Sequence, residues 1–222
     1  MDLLEGIKLR KSIRGYRPTP VPKEILAQIL EIATHAPSAM NIQPWKFTVL
    51  GGDILEEMKK AVQEKFLAGE EPHPDFGPLP TTTNIYRERQ VAIAKDLFQV
   101  MNITREDKGK RVEWNLKGLR FFDAPNAIII SMDEEISHFL SIFSLGTITQ
   151  TIALVATNFG LGTCIQRGAV NYPEVIRRIT GIPESQKIAM GIAIGYPDRD
   201  FPANKVEAKR EPLDNIVTWL GV

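Results

Sequence analysis

Apolar residues recur at Leu3, Leu4, Ile7 and Leu9 and predict a short amphipathic helix over residues 1–10. Thr19-Pro20-Val21-Pro22 breaks the chain, and Pro22 suits the first turn of the next helix. That helix places Ile25, Ile29, Ile32, Ala33 and Ala36 on one face and ends before Pro37. Lys46-Phe47-Thr48-Val49-Leu50 predicts a strand closed by Gly51-Gly52. Asp53, with Glu56 three residues on, reads as a capping box opening a helix that runs to about Phe66. Residues 69–83 hold Pro72, Pro74, Pro78 and Pro80 with Gly69 and Gly77, which preclude regular structure; loops of this length are often lids or partner-contacting arms.

Helical patterns follow over about 85–101 and 105–120, then a continuous apolar strand, Asn126 to Ser131, expected to be buried on both faces. From Ile136 to Gln166 there is no Asp, Glu, Lys or Arg. Interspersed Ser, Thr, Asn and Gln make this a long helix buried in the core or at a subunit interface rather than a membrane span. Gly160 and Gly162 end it. Asn171 reads as the cap of a further helix with Glu174 at its N3 position, stopped by Gly181-Ile182-Pro183. Residues 187–195 are another buried strand, and Ile216 to Leu220 a last apolar stretch. With no repeat and no convincing linker, the pattern predicts one α+β domain, 1–222, with strands 46–50, 126–131 and 187–195 central in its sheet.

Composition narrows this picture by exclusion. The 222 residues carry 27 basic and 27 acidic side chains, so a general nucleic-acid binder is not expected. Met1 leads into Asp2 and Glu5, with no signal-peptide pattern, and Cys164 is the only cysteine; both suit a reducing cytoplasm. Cys164 reads as a small buried hydrophobe. His35, His73 and His138 lack metal-ligand spacing, so no metal is expected.

Three segments carry candidate chemistry. Arg10-Lys11-Ser12-Ile13-Arg14 gathers three cations and a hydroxyl, a combination suited to a phosphate. Ala36 to Trp45 joins a helix end to a strand with small residues, two prolines and the amides Asn41 and Gln43, so its backbone can approach a flat ligand. Gly160 to Gly168 looks only superficially like a dinucleotide fingerprint, because its glycines end a helix instead of opening one. Lys209-Arg210 joins the first cluster only if the two ends of the chain meet.

In this order the segments RKSIRGY, APSAMNIQPW, FFDAP, GLGTCIQ, GIPE, IGYPD and KREPLDNIV resemble the nitroreductase family of FMN-dependent oxidoreductases, over nearly the whole chain. The likeness is greatest to its nitrobenzoate and nitroaromatic reductase branch. The resemblance implies a three-layer fold: a mixed, mostly antiparallel sheet flanked by helices, in an intertwined homodimer with FMN at the interface. It implies that Arg10, Lys11 and Ser12, with Arg14 close by, hold the FMN phosphate and ribityl chain, and that Lys209 and Arg210 complete that grip. Pro37, Ser38, Ala39 and Asn41 would line the isoalloxazine from the other subunit. Gln166, Arg167 and Gly168 would aim backbone N–H groups at flavin N5 and O4; relatives often carry an acidic residue where Arg167 stands, so no role is carried over for its side chain. Lys117 and Arg120 fall near positions that contact the ribityl or pyrimidine edge.

The activity implied is ping-pong hydride transfer from NADH or NADPH through FMN to a small acceptor, such as a nitroaromatic or a quinone. Reductive dehalogenation, enone reduction, flavin breakdown and non-catalytic FMN binding stay open beside it. No side chain is singled out for proton transfer. Phe76 and Tyr86, in or beside the Pro-rich segment, are expected to stack on a planar acceptor or to anchor the loop.

Overall fold

The computed structural model describes residues 2–222. Its helices are α1 (Leu3–Leu9), α2 (Lys23–Ala33), α3 (Gly52–Leu67), α4 (Asn84–Val100), α5 (Lys108–Leu119), α6 (Phe139–Asn158) and α7 (Pro173–Thr180). Its strands are β1 (Lys46–Gly51), β2 (Asn126–Asp133), β3 (Gly162–Gln166) and β4 (Gln186–Gly195), in the order β1-β2-β4-β3. All three pairings are antiparallel. The parallel element described is a single bridge, Ser12 to Thr163, which lays the N-terminal segment beside edge strand β3.

Strand β2 explains the three layers. Its residues alternate between faces at period two, so an unbroken apolar run must be covered twice. Ala127 and Ile129 pack with Leu55, Met58 and Val62 from α3, Ile176 from α7 and Tyr172 just before it, whereas Ile128, Ile130 and Met132 pack with Leu26, Ile29, Ile148 and Ile152 from α2 and α6. The uncharged helix predicted from the sequence is α6. Its inner face is buried, including Ser141 and Ser144 at 0% exposure, while Phe139, Leu140, Ile142 and Phe143 at its N-terminal end are exposed. It is long and apolar enough to cross a membrane, yet it packs against α2, β3 and α1 as a core helix.

Several local expectations need correction. The segment after Gly160 is not simply a turn: 162–166 forms β3, paired from Gly162↔Gly195 to Gln166↔Gly191. Gly162 is required there because a Cβ would sit 2.4 Å from Ile13 Cγ1. Helix α2 ends at Ala33, short of Pro37; Leu26 joins Ile29 and Ala33 in the core, and Ile32 is 47% exposed. Asp53 does not cap α3, whose N-cap is the extended Gly51; it lies in the first turn, where its charge favours the helix dipole. Glu56 instead takes Lys59 Nζ at 2.7 Å. Asn171 does not cap α7 either: Pro173 opens that helix after Tyr172, and Asn171 closes a 3-10 turn, Gly168–Val170. The Pro-rich segment has no regular structure, as expected, and α4 and α5 follow it.

Candidate active site

Residues 10–16 run extended along β3. Ile13 N donates to Thr163 O at 2.9 Å. Asn204, buried on the far side, fixes the same segment: its Oδ1 accepts from Arg14 N at 2.6 Å and Gly15 N at 3.2 Å. Its Nδ2 donates to Gly15 O and Asp198 O, both at 2.8 Å. Gly15 admits no side chain, since a Cβ would lie 2.2 Å from Phe201 Cγ. Arg14 donates to Ser12 O at 3.3 Å and stands 5.8 Å from the Phe122 ring centroid.

The two ends of the chain meet here. Burial, and after it the charge of Arg210, pull the Arg10 guanidinium below its usual pKa. Among the described residues Arg10, Lys11, Lys209 and Arg210 take part in no ion pair. The neighbouring carboxylate, Glu211, is committed to Arg89 at 2.7 Å. Lys209 and Arg210 line a cavity of about 590 Å³ against α4. Asp198 lines the cavity beside Arg10 and Lys11, and Glu88 and Asp96 line that beside Lys209 and Arg210, but none of them pairs with these cations, which remain free to meet an anion. Cys164 lies beside this cluster; burial pushes its thiol up, against the lowering influence of Arg14, Ser12 and Arg10. It is no thiolate nucleophile.

At the end of β3, Gln166 Nε2 donates to Gly118 O at 2.8 Å, while its buried Oε1 has no partner. Arg167 and Gly168 are the N-cap and first residue of the 3-10 turn, where N–H groups lack intrahelical acceptors. A Cβ on Gly168 would meet nothing within 4 Å, so the space before this turn is open. The Arg167 side chain points away from that role: it donates to Gly77 O and, at 3.3 Å, to Asn171 Oδ1.

The Pro37–Asn41 segment is held elsewhere. Thr147 Oγ1 donates to Pro37 O at 2.7 Å, and Ala39 N to Ser144 Oγ at 3.2 Å. Ser38 Oγ accepts from Gln43 N at 3.1 Å. Met40, Asn41 and Gln43 have φ of 49°, 57° and 46°, uncommon for residues other than glycine. These anchors lie in the N-terminal half of α6, whereas α1, which leads into the basic cluster, packs near Val155 and Asn158. Thr147 and Val155 are about 12 Å apart along a helix axis. The 37–41 segment and α1 thus meet α6 at separate levels.

Lys117 and Arg120 are committed within the chain. Lys117 Nζ pairs with Asp123 at 2.6 Å, and Arg120 with Asp123 at 2.8 Å and Glu113 at 2.9 Å. Burial raises the Asp123 pKa, but hydrogen bonds from Arg120 and Lys117 outweigh it and hold the carboxyl below its usual value. Phe76 is packed against the α2/α6 core, so it anchors the loop, whereas Tyr86 is 64% exposed.

Sequence reasoning missed two features. Asn204 carries no local motif, and its role depends on a partner far away in the chain. Phe121, Phe122 and Asp123 all adopt positive φ, at 56°, 53° and 59°, which FFDAP does not announce. This left-handed corner is held by Phe121, buried over Gly191, where a Cβ would lie 2.8 Å from Phe121 Cε1.

The chain is thus a three-layer α+β domain with a cluster of unpaired cations at a sheet edge. A family model described as the nitroreductase family matches residues 7–196, and the chain belongs to that family. It is 30% identical over 217 residues to a nitrobenzene nitroreductase of Ectopseudomonas oleovorans, covering 96% of this chain and 95% of that one. It is 29% identical over 214 residues to a 4-nitrobenzoate reductase of Pseudomonas putida, covering 96% and 92%. A solved structure, the FMN and NADPH-dependent nitroreductase NfnB from Sphigopyxis sp. strain HMH, matches 100% of both chains with a TM-score of 0.95 at 28% identity.

Proposed function

We propose that this chain is an FMN-dependent oxidoreductase that takes hydride from NADH or NADPH and reduces small nitroaromatic acceptors, quinones being a second acceptor class. The observation that carries the reading is a set of cations from both ends of the chain, Arg10 and Lys11 with Lys209 and Arg210, that take part in no ion pair, with the charge of Arg210 felt at Arg10. The family membership and the nitroaromatic reductases among its relatives support it.

The residues fit FMN. Arg10, Lys11, Lys209 and Arg210 would neutralise its phosphate, with Ser12 donating to the same end. Gln166 Oε1, buried without a donor, would accept from an N–H of a heterocycle. The N–H groups of Arg167 and Gly168 would face the flavin edge, with Gly168 leaving room for a planar ring. When bound, FMN supplies two-electron chemistry between a nicotinamide and an acceptor.

The chain's own part is to bind, orient and exclude water. Donor and acceptor would use one face in turn, which gives ping-pong kinetics. Each two-electron step balances: a nitro group, NAD(P)H and a proton yield a nitroso group, NAD(P)⁺ and water; a second NAD(P)H and proton yield the hydroxylamine. No side chain is assigned as an acid in this reading, and solvent would supply the protons. Tyr16, buried so that its pKa is pushed well above the usual value, spends its hydroxyl on Ile13 O at 2.8 Å.

The site would be completed by a second copy of the chain. Pro37, Ser38, Ala39 and Asn41 would come from that copy, as the family resemblance implies. Exposed Phe139, Ile142 and Phe143 on α6, Leu3, Leu4 and Ile7 on α1, and Trp219 and Leu220 in the tail offer the apolar surface that a homodimer would cover. The test is the absorbance spectrum of the purified protein, anaerobic titration with NADH and with NADPH, and then multiple turnover with nitrobenzene and 4-nitrobenzoate. A protein that purifies and reconstitutes without flavin refutes the reading.

A further inference from the structure

The arm formed by residues 69–83 is tied to the body along its first half and again at its far end, where Thr82 Oγ1 donates to Gln90 Oε1 of α4. Tyr172 donates to Glu70 O at 2.9 Å, and His73 N to Asn171 O at 3.0 Å. The Asp75 carboxylate takes Arg177 and the backbone N–H of Ile188, both at 2.7 Å. The last of these anchors is Arg167, whose guanidinium donates to Gly77 O. Beyond it Gly77 turns the chain at φ 70°, and Pro78-Leu79-Pro80 leaves the body with Leu79 70% exposed. Prolines on both sides make that segment stiff, so its direction is set by where Gly77 is held. Arg167 is the anchor that comes from the Gln166–Gly168 turn itself; the others come from α7, the residues leading into it, β4, the α2/α6 core that takes Phe76, and α4.

We infer that Arg167 is a positioning residue that couples this turn to the arm and thereby selects the acceptor. This rests on the reading of the turn as the flavin edge. One guanidinium spans two acceptors in different directions, the Gly77 carbonyl and Asn171 Oδ1 at 3.3 Å. A lysine ammonium, a single point charge on a flexible stem, cannot hold both with the same geometry. Arg167 ties Gly77 to the turn that holds the open space before Gly168, so moving Gly77 would shift the exposed Leu79 relative to that space and change which acceptors fit.

The experiment compares Arg167→Ala and Arg167→Lys with Tyr172→Phe, which frees the opposite end of the same arm. The readout is the ratio of kcat/KM for nitrobenzene to that for 4-nitrobenzoate. A ratio cancels any common change in flavin binding or reduction. The expected result is a shift of at least fivefold in Arg167→Ala, carried by KM, a smaller shift in Arg167→Lys, and none in Tyr172→Phe. Limited proteolysis of the arm, read without any turnover, should show faster cleavage within 77–83 in Arg167→Ala. If Arg167→Ala is poorly folded, Arg167→Gln, which keeps one donor, takes its place. An unaltered ratio, or equal shifts in Arg167→Ala and Tyr172→Phe, overturns the inference. If the parent protein binds no flavin, the functional reading fails instead, and proteolysis still reports whether Arg167 holds the arm: no acceleration overturns that coupling.

Discussion

Asn204 grips Gly15 from both sides of its carboxamide, accepting from Gly15 N at 3.2 Å and donating to Gly15 O at 2.8 Å. The pairing joins the end of the fold to its beginning and presents Arg10 to Arg14 as a fixed ridge beside β3. Asn204→Leu keeps the volume and leaves the N–H groups of Arg14 and Gly15 unpaired, while Gly15 O keeps the N–H of Asp198 at 3.0 Å. At about 1–3 kcal/mol for each buried group left without a partner, the loss is several kcal/mol at most. The expected outcome is a lower melting temperature together with lost flavin. Retention of both in thermal unfolding and absorbance measurements would disprove the brace.

Arg10 and Arg210 should act jointly. Changing both to Ala removes two charge-assisted contacts, each worth about 1.5–3 kcal/mol, so FMN affinity should fall by roughly two orders of magnitude or more. The variant should fold and purify nearly colourless. Burial of Arg10 costs stability in the ligand-free protein, since its charge is desolvated and repelled by Arg210. Removing it should therefore leave the melting temperature of the ligand-free protein unchanged or raised, while abolishing the stabilisation that added FMN provides.

The architecture was legible in the sequence wherever periodicity carried it. Strands 126–131 and 187–195 and helix α6 are apolar runs whose burial decides their structure, and the fold places both strands at the centre of the sheet; strand 46–50 was expected there too but forms the edge strand β1, which is only partly buried. Strand β3 escaped because its five residues lie between glycines that read equally well as a turn. The two misread caps failed for a local reason: Asp53 and Asn171 are good capping residues, but Gly51 and Pro173 set the backbone before their side chains could act. For the site, the basic clusters were visible as charge, and their meeting was not, because nothing local encodes proximity between residues 10 and 210. The same limit hid Asn204 and the tie between Arg167 and Gly77.

Asp75 and Arg177 form a largely buried ion pair, with side chains 14% and 11% exposed and nitrogen and oxygen 2.7 Å apart. Asp75→Ala strands the guanidinium and also removes the acceptor of Ile188 N. Breaking one side of a buried pair costs about 3–5 kcal/mol. Asp75→Ala should therefore lower stability far more than Glu184→Ala, which removes the exposed second carboxylate near Arg177. Equal chemical-denaturation midpoints for the two variants would contradict the assignment.

Phe143 is 65% exposed on α6 although it is a large aromatic side chain. If a second copy covers it, Phe143→Glu places a charge in an apolar contact and should yield a monomer. Sedimentation of the parent at micromolar concentration should give a dimer, and the variant should lose FMN with its partner, since segment 37–41 would then be absent from the site. A variant that is monomeric yet keeps full FMN content would show that the site lies within one chain.

The arm should loosen with rising pH. His73 faces the Glu71 carbonyl at 3.1 Å through Nδ1 and Glu174 at 2.8 Å through Nε2, with Lys65 nearby. The Glu71 hydrogen bond, against some desolvation and with help from Glu174, raises the His73 pKa, although Lys65 opposes it. The fold thus binds the His73 proton more tightly than the unfolded chain does. The resulting stabilisation is complete below the unfolded value of about 6.5 and disappears as pH climbs through the raised folded value. The side chain is 57% exposed, so solvent screens the pair and the effect is local rather than global. Hydrogen exchange over residues 70–77 should therefore be slower in the parent than in His73→Gln at pH 5.5. The two should converge by pH 8.5, once exchange is corrected for its intrinsic pH dependence. A difference that persists unchanged across that range would mean that His73 acts through packing on Tyr172, whose ring lies 6.2 Å away, and not through its charge.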